Sequence, residues 1–180
     1  GKGFFAPSPF IEDIDEAGLS HLAPLENLDE ERASTASIDI SYVLGSMETS
    51  MTIFTSAIDN VTELVAIDEM NDASGKQVRI VNTAGESEIS GAELLLRYRW
   101  RDIKFTGSYL YTNGTKNNDS GVGRVPLALT PQHSAGFVAM WEEHGSHLVG
   151  FEAYYTGTQA LENNPYRDRS EAYWHLGLLG

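Results

Sequence analysis

The feature that most constrains this chain is the spacing of its turn signals. Strand-length pieces are joined by connections that are alternately long and short. A long polar stretch precedes residues 35–44, and a tight turn follows at 45–48. The next strand enters the long acidic stretch 59–76. Residues 89–100 are followed by the minimal turn 101–102, and 103–112 by the long stretch 113–131. Residues 133–141 end at the turn 142–146, and 148–157 enter the long connection 158–170. Strict alternation puts every long connection at one end of an antiparallel meander.

Each piece also alternates internally. Ala36, Ile38, Ile40, Tyr42 and Leu44 oppose Thr35, Ser37, Asp39 and Ser41. Ala92, Leu94, Leu96, Tyr98 and Trp100 oppose Glu93, Arg97 and Arg99. Ile103, Phe105, Tyr109 and Tyr111 oppose Lys104, Thr106, Ser108 and Thr112, and Val149, Phe151, Ala153 and Tyr155 oppose Glu152 and Thr156. A period of two is a strand period. Soluble sheets alternate as well, so three further features decide. The pieces run to about ten residues, the length of a tilted transmembrane strand, against five or six for ordinary strands. Tyr42, Tyr98, Trp100, Tyr109, Tyr111, Trp141 and Tyr155 stand near strand ends, the girdle positions of a membrane barrel. The polar faces carry full charges, which a wet or plugged lumen tolerates. The predicted fold is all-β, an antiparallel up-and-down meander and a fragment of a large transmembrane β-barrel, with short periplasmic turns and long extracellular loops. The piece 49–58 is the weakest: Met51, Ile53, Thr55 and Ala57 are assigned to lipid, but Phe54 and Ile58 interrupt the other face.

Length and charge narrow the reading. The chain has 180 residues with 26 acids against 12 bases, a net charge of −14, and no cysteine. It therefore has neither a disulfide framework nor thiol chemistry. No apolar run reaches the roughly 18 residues of a membrane helix. No signal peptide opens it. The ragged ends suggest that 1–180 is a partial barrel domain of a longer protein.

The order of motifs resembles the C-terminal part of the barrel of TonB-dependent outer-membrane receptors. Gly3-Phe4-Phe5-Ala6-Pro7-Ser8 resembles the G-F-R-A-P stretch that ends one barrel strand. Asn27-Leu28-Asp29-Glu30-Glu31 resembles N-L-x-P-E, with Asp29-Glu30 in place of Pro-Glu. Asn82 with Ile89-Ser90-Gly91-Ala92-Glu93-Leu94 resembles N…i-x-G-x-E. Arg124-Val125-Pro126-Leu127 with Pro131-Gln132-His133 resembles R-x-P-L-x-P-x-H, and Tyr155-Thr156-Gly157-Thr158-Gln159 resembles Y-x-G-x-Q. The resemblance implies a barrel of 22 strands around a plug. It further implies partnership with TonB and with the plug of the parent protein, contact with the lipid bilayer, and the outer membrane of a Gram-negative bacterium. Import of a small-molecule ligand such as a ferric siderophore or other metal chelate follows. The plug, the TonB-binding motif and the terminal strands are absent from this stretch. No cofactor is implied, and the protein is expected not to be an enzyme.

Candidate sites follow from position. Glu93, Arg97, Arg99, Lys104 and Glu152 are placed on the lumen face, to pair with each other or with the plug, the plain alternative being structural satisfaction of a wet lumen. The acids are concentrated in two outward stretches, with Asp13, Asp15, Glu16, Asp68 and Glu69 as ligand-facing candidates. Such clusters attract cationic ligands or hold calcium, and the plain alternative is a solvated, self-repelling surface. Lys116, Arg124, Arg167 and Arg169 in the other two long connections are candidates for an anionic chelate, or ordinary surface. Gly91 is read as a bend or close backbone approach, and Pro126 and Pro131 as loop residues, since neither donates to a ladder. Nucleic acid is excluded as a partner because no basic stripe exists. A catalytic search yields nothing: His144 and His147 sit in a turn without a third ligand, and no zinc-protease, P-loop or nucleophile-elbow motif occurs. A passive porin-like barrel and a soluble extracellular β-sandwich binding module are the alternative classes.

Overall fold

The structure is a computed structural model that describes residues 1–5, 27–67, 77–83, 85–118, 122–143, 147–161 and 164–180. It contains β1 Lys2–Phe5, β2 Glu31–Leu44, β3 Met47–Asp59, β4 Thr62–Ile67, β5 Gln77–Asn82 and β6 Ser87–Trp100. It continues with β7 Ile103–Asn117, β8 Arg124–Pro126, β9 His133–Glu143, β10 His147–Thr156 and β11 Tyr173–Leu179. The main sheet runs β1-β2-β3-β6-β7-β9-β10-β11, every pair antiparallel. β8 pairs with the far end of β7, and β4 and β5 form a separate hairpin. The described residues contain no helix.

Register converts the alternation of each strand into two coherent faces, because residues directly opposite one another project to the same side. One row reads Ile40, Met51, Leu94, Tyr109, Ala135, Tyr155 and Trp174. Another reads Tyr98, Phe105, Ala139, Phe151 and Leu178. Rows on the opposite face read Asp39, Thr52, Glu93, Leu110, Ser134 and Thr156, then Glu48, Arg97, Thr106, Val138 and Glu152. A slip of one residue in any pair would exchange the faces, so the register itself reports the two environments. Met51 and Ile53 join the apolar face as expected, in spite of the ambiguous pattern of their strand.

The described residues form no conventional core. Among the described residues Ala153 is the only buried hydrophobic, whereas Ile38 and Ile40 are 69% and 66% exposed. Leaving this much aliphatic surface in water costs about 25 cal/mol per Å². A sheet with such a face is stable where hydrocarbon covers it.

The connections alternate as the spacing predicts, but they differ in detail. The inner turns are minimal. Gly45–Ser46 joins β2 to β3 with Leu44 opposite Met47, so Met47 and Glu48 belong to the strand and not to the turn. Arg101–Asp102 joins β6 to β7, and Arg101 adopts a left-handed φ of 54°. The turn between β9 and β10 at 144–146 lies outside the described residues. The outward strand ends reach further than expected. β2 starts at Glu31, because Glu31 to Ser34 pair with β1. β7 runs on to Asn117 and β8 folds back onto it, with Thr115 opposite Pro126. The acidic stretch 59–76 carries β4, which pairs with β5 just beyond it as a hairpin, from Thr62–Asn82 to Ile67–Gln77. Past the bilayer both faces of a strand are wet, so pairing continues without the alternation that marks it.

Candidate functional site

Two surfaces qualify: the polar face of the sheet and the outward connections. The polar face is organised by short cross-strand contacts. Thr52 Oγ1 donates to Asp39 Oδ1 at 2.6 Å. Arg97 Nη1 stands 3.5 Å from Glu48 Oε1, and Lys104 Nζ donates to Glu142 Oε2 at 2.7 Å. Within β10, Tyr154 donates its hydroxyl to Glu152 Oε2 at 3.1 Å. Of the lumen candidates, Arg97, Lys104 and Glu152 therefore bond to neighbours on the sheet. Glu93 lines a hollow of about 330 Å³ with Ser108, Ser134, Tyr154 and Thr156. Arg97, Arg99 and Lys104 line a second hollow, about 450 Å³, toward the short turns. These ion pairs are solvent-exposed and stabilise the sheet little; their effect is to fix where charge stands on this face.

Gly91 and Phe54 explain each other. They lie opposite in register on the polar face. A Cβ on Gly91 would sit 2.6 Å from Phe54 Cζ. The ring, together with the Tyr111 carbonyl oxygen that a Cβ would meet first, occupies the space that the glycine leaves, an arrangement in which an aromatic covers a strand glycine. The same device recurs where Tyr154 lies across Gly136, with a Cβ position 3.3 Å from its ring.

The apolar face ends in aromatic clusters. At the outward rim Tyr109 hydrogen-bonds His133 Nδ1 at 2.7 Å, the Tyr111 ring lies 5.4 Å from His133, and Tyr155 lies 5.1 Å from Trp174. At the inner rim stand Trp100 and Trp141, with the Arg101 guanidinium 5.6 Å from the Trp100 ring. β6, with 14 residues, spans roughly 43 Å at about 3.3 Å per residue, enough to cross an apolar band of about 25 Å at a strand tilt of about 40°.

The outward candidates separate. Arg124 is built into the framework of β7 and β8. Its guanidinium donates to Thr115 Oγ1 at 2.9 Å, Thr115 O at 3.0 Å, Asn117 Oδ1 at 3.2 Å and Glu86 O at 3.3 Å, and stands 3.5 Å from Glu88. Lys116 stands 3.9 Å from Glu63 on the hairpin. Arg167 pairs with Glu171 at 2.9 Å, and Arg169 belongs to a backbone bridge with Ala160. Asp13, Asp15, Glu16, Asp68 and Glu69 lie outside the described residues. Among the described residues no group of three His, Cys, Asp or Glu side chains could hold a metal ion.

One residue has a role that periodicity could not reveal. Asn82, at the end of the hairpin, binds backbone on both sides of it: Asp29 N donates to Asn82 Oδ1 at 2.8 Å, and Asn82 Nδ2 donates to Asp29 O at 3.0 Å and to Asn60 O at 2.7 Å. Its partner Asp29 is 53 residues away. The motif that contains Asn82 was visible in the sequence, but no local pattern names that partner.

A sheet with an aromatic-bordered apolar face, a charged opposite face and long connections at one end is a wall segment of a transmembrane β-barrel. The family model for the TonB dependent receptor-like β-barrel matches residues 1–179, and the chain belongs to that family. Solved structures agree on the fold. The FrpB iron transporter (F5-1 variant) of Neisseria meningitidis superposes with a TM-score of 0.65 at 13% identity, over 96% of this chain and 28% of its own. The ferripyoverdine receptor of the outer membrane of Pseudomonas aeruginosa gives 0.61 at 18%, over 98% and 23%. The copper transporter OprC gives 0.63 at 18%, over 84% and 23%. The chain thus spans about a quarter of the length of these proteins. A sequence comparison with curated proteins finds no match.

Proposed function

We propose that this chain is part of the barrel wall of an outer-membrane importer energised through TonB, carrying a metal chelate such as a ferric siderophore into a Gram-negative cell. The observation that carries the reading is the two-faced sheet with every long connection at one end, in a chain of this receptor family. In this reading the face of Ile40, Leu94 and Phe105 meets lipid. The face of Glu93, Arg97, Arg99, Lys104 and Glu152 meets the plug of the parent protein. The outward connections take the ligand, with Arg167 and Arg169 on the surface and Arg124 holding the framework behind it. Lys116 and the acids Asp13, Asp15, Glu16, Asp68 and Glu69 belong to the same outward surface. Import is supported by the neighbours named as iron and copper transporters.

The test is accumulation of radiolabelled iron, supplied as a panel of ferric siderophores, by cells with and without the parent gene. Uptake of at least one chelate should require both the gene and TonB. Uptake that persists without TonB would point to a passive barrel instead.

A further inference from the structure

Three polar side chains join the connection between β1 and β2 to the base of the β4–β5 hairpin. Asn82 bonds Asp29 on both its amide and its carbonyl, and it also holds Asn60 O. Glu31 Oε1 accepts from Thr62 N at 2.7 Å and from Thr62 Oγ1 at 2.6 Å. Asn60 Nδ2 donates to Glu30 O at 3.2 Å. Asn60 takes a left-handed φ of 56°, a conformation that asparagine tolerates better than most residues. Within the hairpin, Thr83 N donates to Val61 O at 2.8 Å and continues the β4–β5 pairing. β4 and β5 do not pair with the main sheet. The orientation of the hairpin on the wall therefore depends on this small set of bonds at its base and on the Lys116–Glu63 ion pair.

The chemistry at position 82 is specific. The two amide hydrogens of Asn82 meet two different carbonyls, while its oxygen meets an N–H. Aspartate at this position has no hydrogen to donate and would set a carboxylate against two carbonyl oxygens. Glutamine is one methylene too long to close both contacts from the same backbone position.

We propose that Asn82 is a positioning residue: with Glu31 it clasps Asp29–Glu31, at the start of β2, to the base of the hairpin, so that these residues open as one unit. Its significance for ligand capture rests on the importer reading above, but the clasp is tested without any ligand. A clasp that opens as a unit couples amides that share no bond. The Asp29 amide is bonded to Asn82, and the Thr62 amide to Glu31.

The experiment is residue-resolved hydrogen exchange on the full-length receptor in detergent micelles, comparing wild type with Asn82→Ala, Asn82→Asp and Glu31→Ala. Removing one bonded group changes local opening equilibria by about tenfold. Asn82→Ala and Asn82→Asp should accelerate the Thr62 amide about tenfold although neither variant removes its partner. Glu31→Ala should do the same to the Asp29 amide. Exchange accelerated only at the amide whose own partner was removed would overturn the proposal. If circular dichroism showed that the Asn82 variants do not assemble, Glu31→Ala and the Asp29 amide would decide it alone. Absence of chelate uptake by the wild-type receptor, with reciprocal coupling intact, would count against the importer reading and leave the clasp standing.

Discussion

The wall and the outward connections of this molecule are built on different principles. In the wall each residue's environment is set by its immediate cross-strand neighbours and by which of two solvents it faces. Ile40, Met51 and Leu94 form one row, and Asp39, Thr52 and Glu93 form the next on the other side. In the outward connections position is set by single polar side chains reaching far along the chain. Asn82 reaches Asp29, Arg124 reaches Glu86, and Glu31 reaches Thr62. The wall tolerates substitution that respects its faces. The outward end depends on particular atoms.

The largest effect should come from charging the apolar face. Leu94→Arg should lower barrel stability by roughly 2–4 kcal/mol if Leu94 lies near the bilayer midplane, because the guanidinium loses its hydration in hydrocarbon. Glu93→Gln, its sequence neighbour on the polar face, should cost well under that. A folding titration into lipid vesicles measures both. Equal penalties would erase the distinction between the faces on which the wall depends.

A smaller effect tests packing within the wall. Gly91→Ala adds a methyl that meets the Phe54 ring, and should cost about 1–3 kcal/mol in the same titration. Adding Phe54→Ala should recover only part of that, because the new carbon also meets the Tyr111 carbonyl oxygen. Full additivity of the two substitutions would deny the contact.

How much of this could be read in advance follows from the same division. The wall was legible wherever lipid faces one side and a wet lumen the other, because period two is a local signal. Ala92 to Trp100 and Ile103 to Tyr111 declared their faces, their two-residue turn and their place in a barrel. Residues 113–117 did not. Asn113-Gly114-Thr115-Lys116-Asn117 has the composition of a turn, yet it continues β7 between β6 and β8. The hairpin was hidden in and just beyond an acidic stretch, although Thr62–Ile67 and Gln77–Asn82 are each rich in branched apolar residues. Phe54 looked like a flaw in its strand until register placed it opposite Gly91. Arg124 looked like free surface charge until its four acceptors were in view. In each case the missing information was a tertiary contact.

The smallest effect belongs to the outward framework. Arg124→Ala should destabilise the β7–β8 pairing by about 0.5–1.5 kcal/mol, the net worth of a typical hydrogen bond, since water replaces much of what is lost. Hydrogen exchange should rise at residues 115–117 and 124–125 and stay unchanged in Ile103 to Tyr111. A global loss of protection would mean that this end is not separable from the wall.

The central claim is that all the long connections leave one side of the membrane and all the short turns the other. Single cysteines report it directly, since this chain has none of its own. Val122 and Tyr166, in two of the long connections, are 80% and 90% exposed. Ser46 and Asp102 are exposed in the two described short turns. In an otherwise cysteine-free parent receptor, Val122→Cys and Tyr166→Cys should react with an impermeant maleimide on intact cells. Ser46→Cys and Asp102→Cys should react only after the outer membrane is breached. Labelling of Ser46→Cys or Asp102→Cys on intact cells, or protection of Val122→Cys and Tyr166→Cys, would contradict the account.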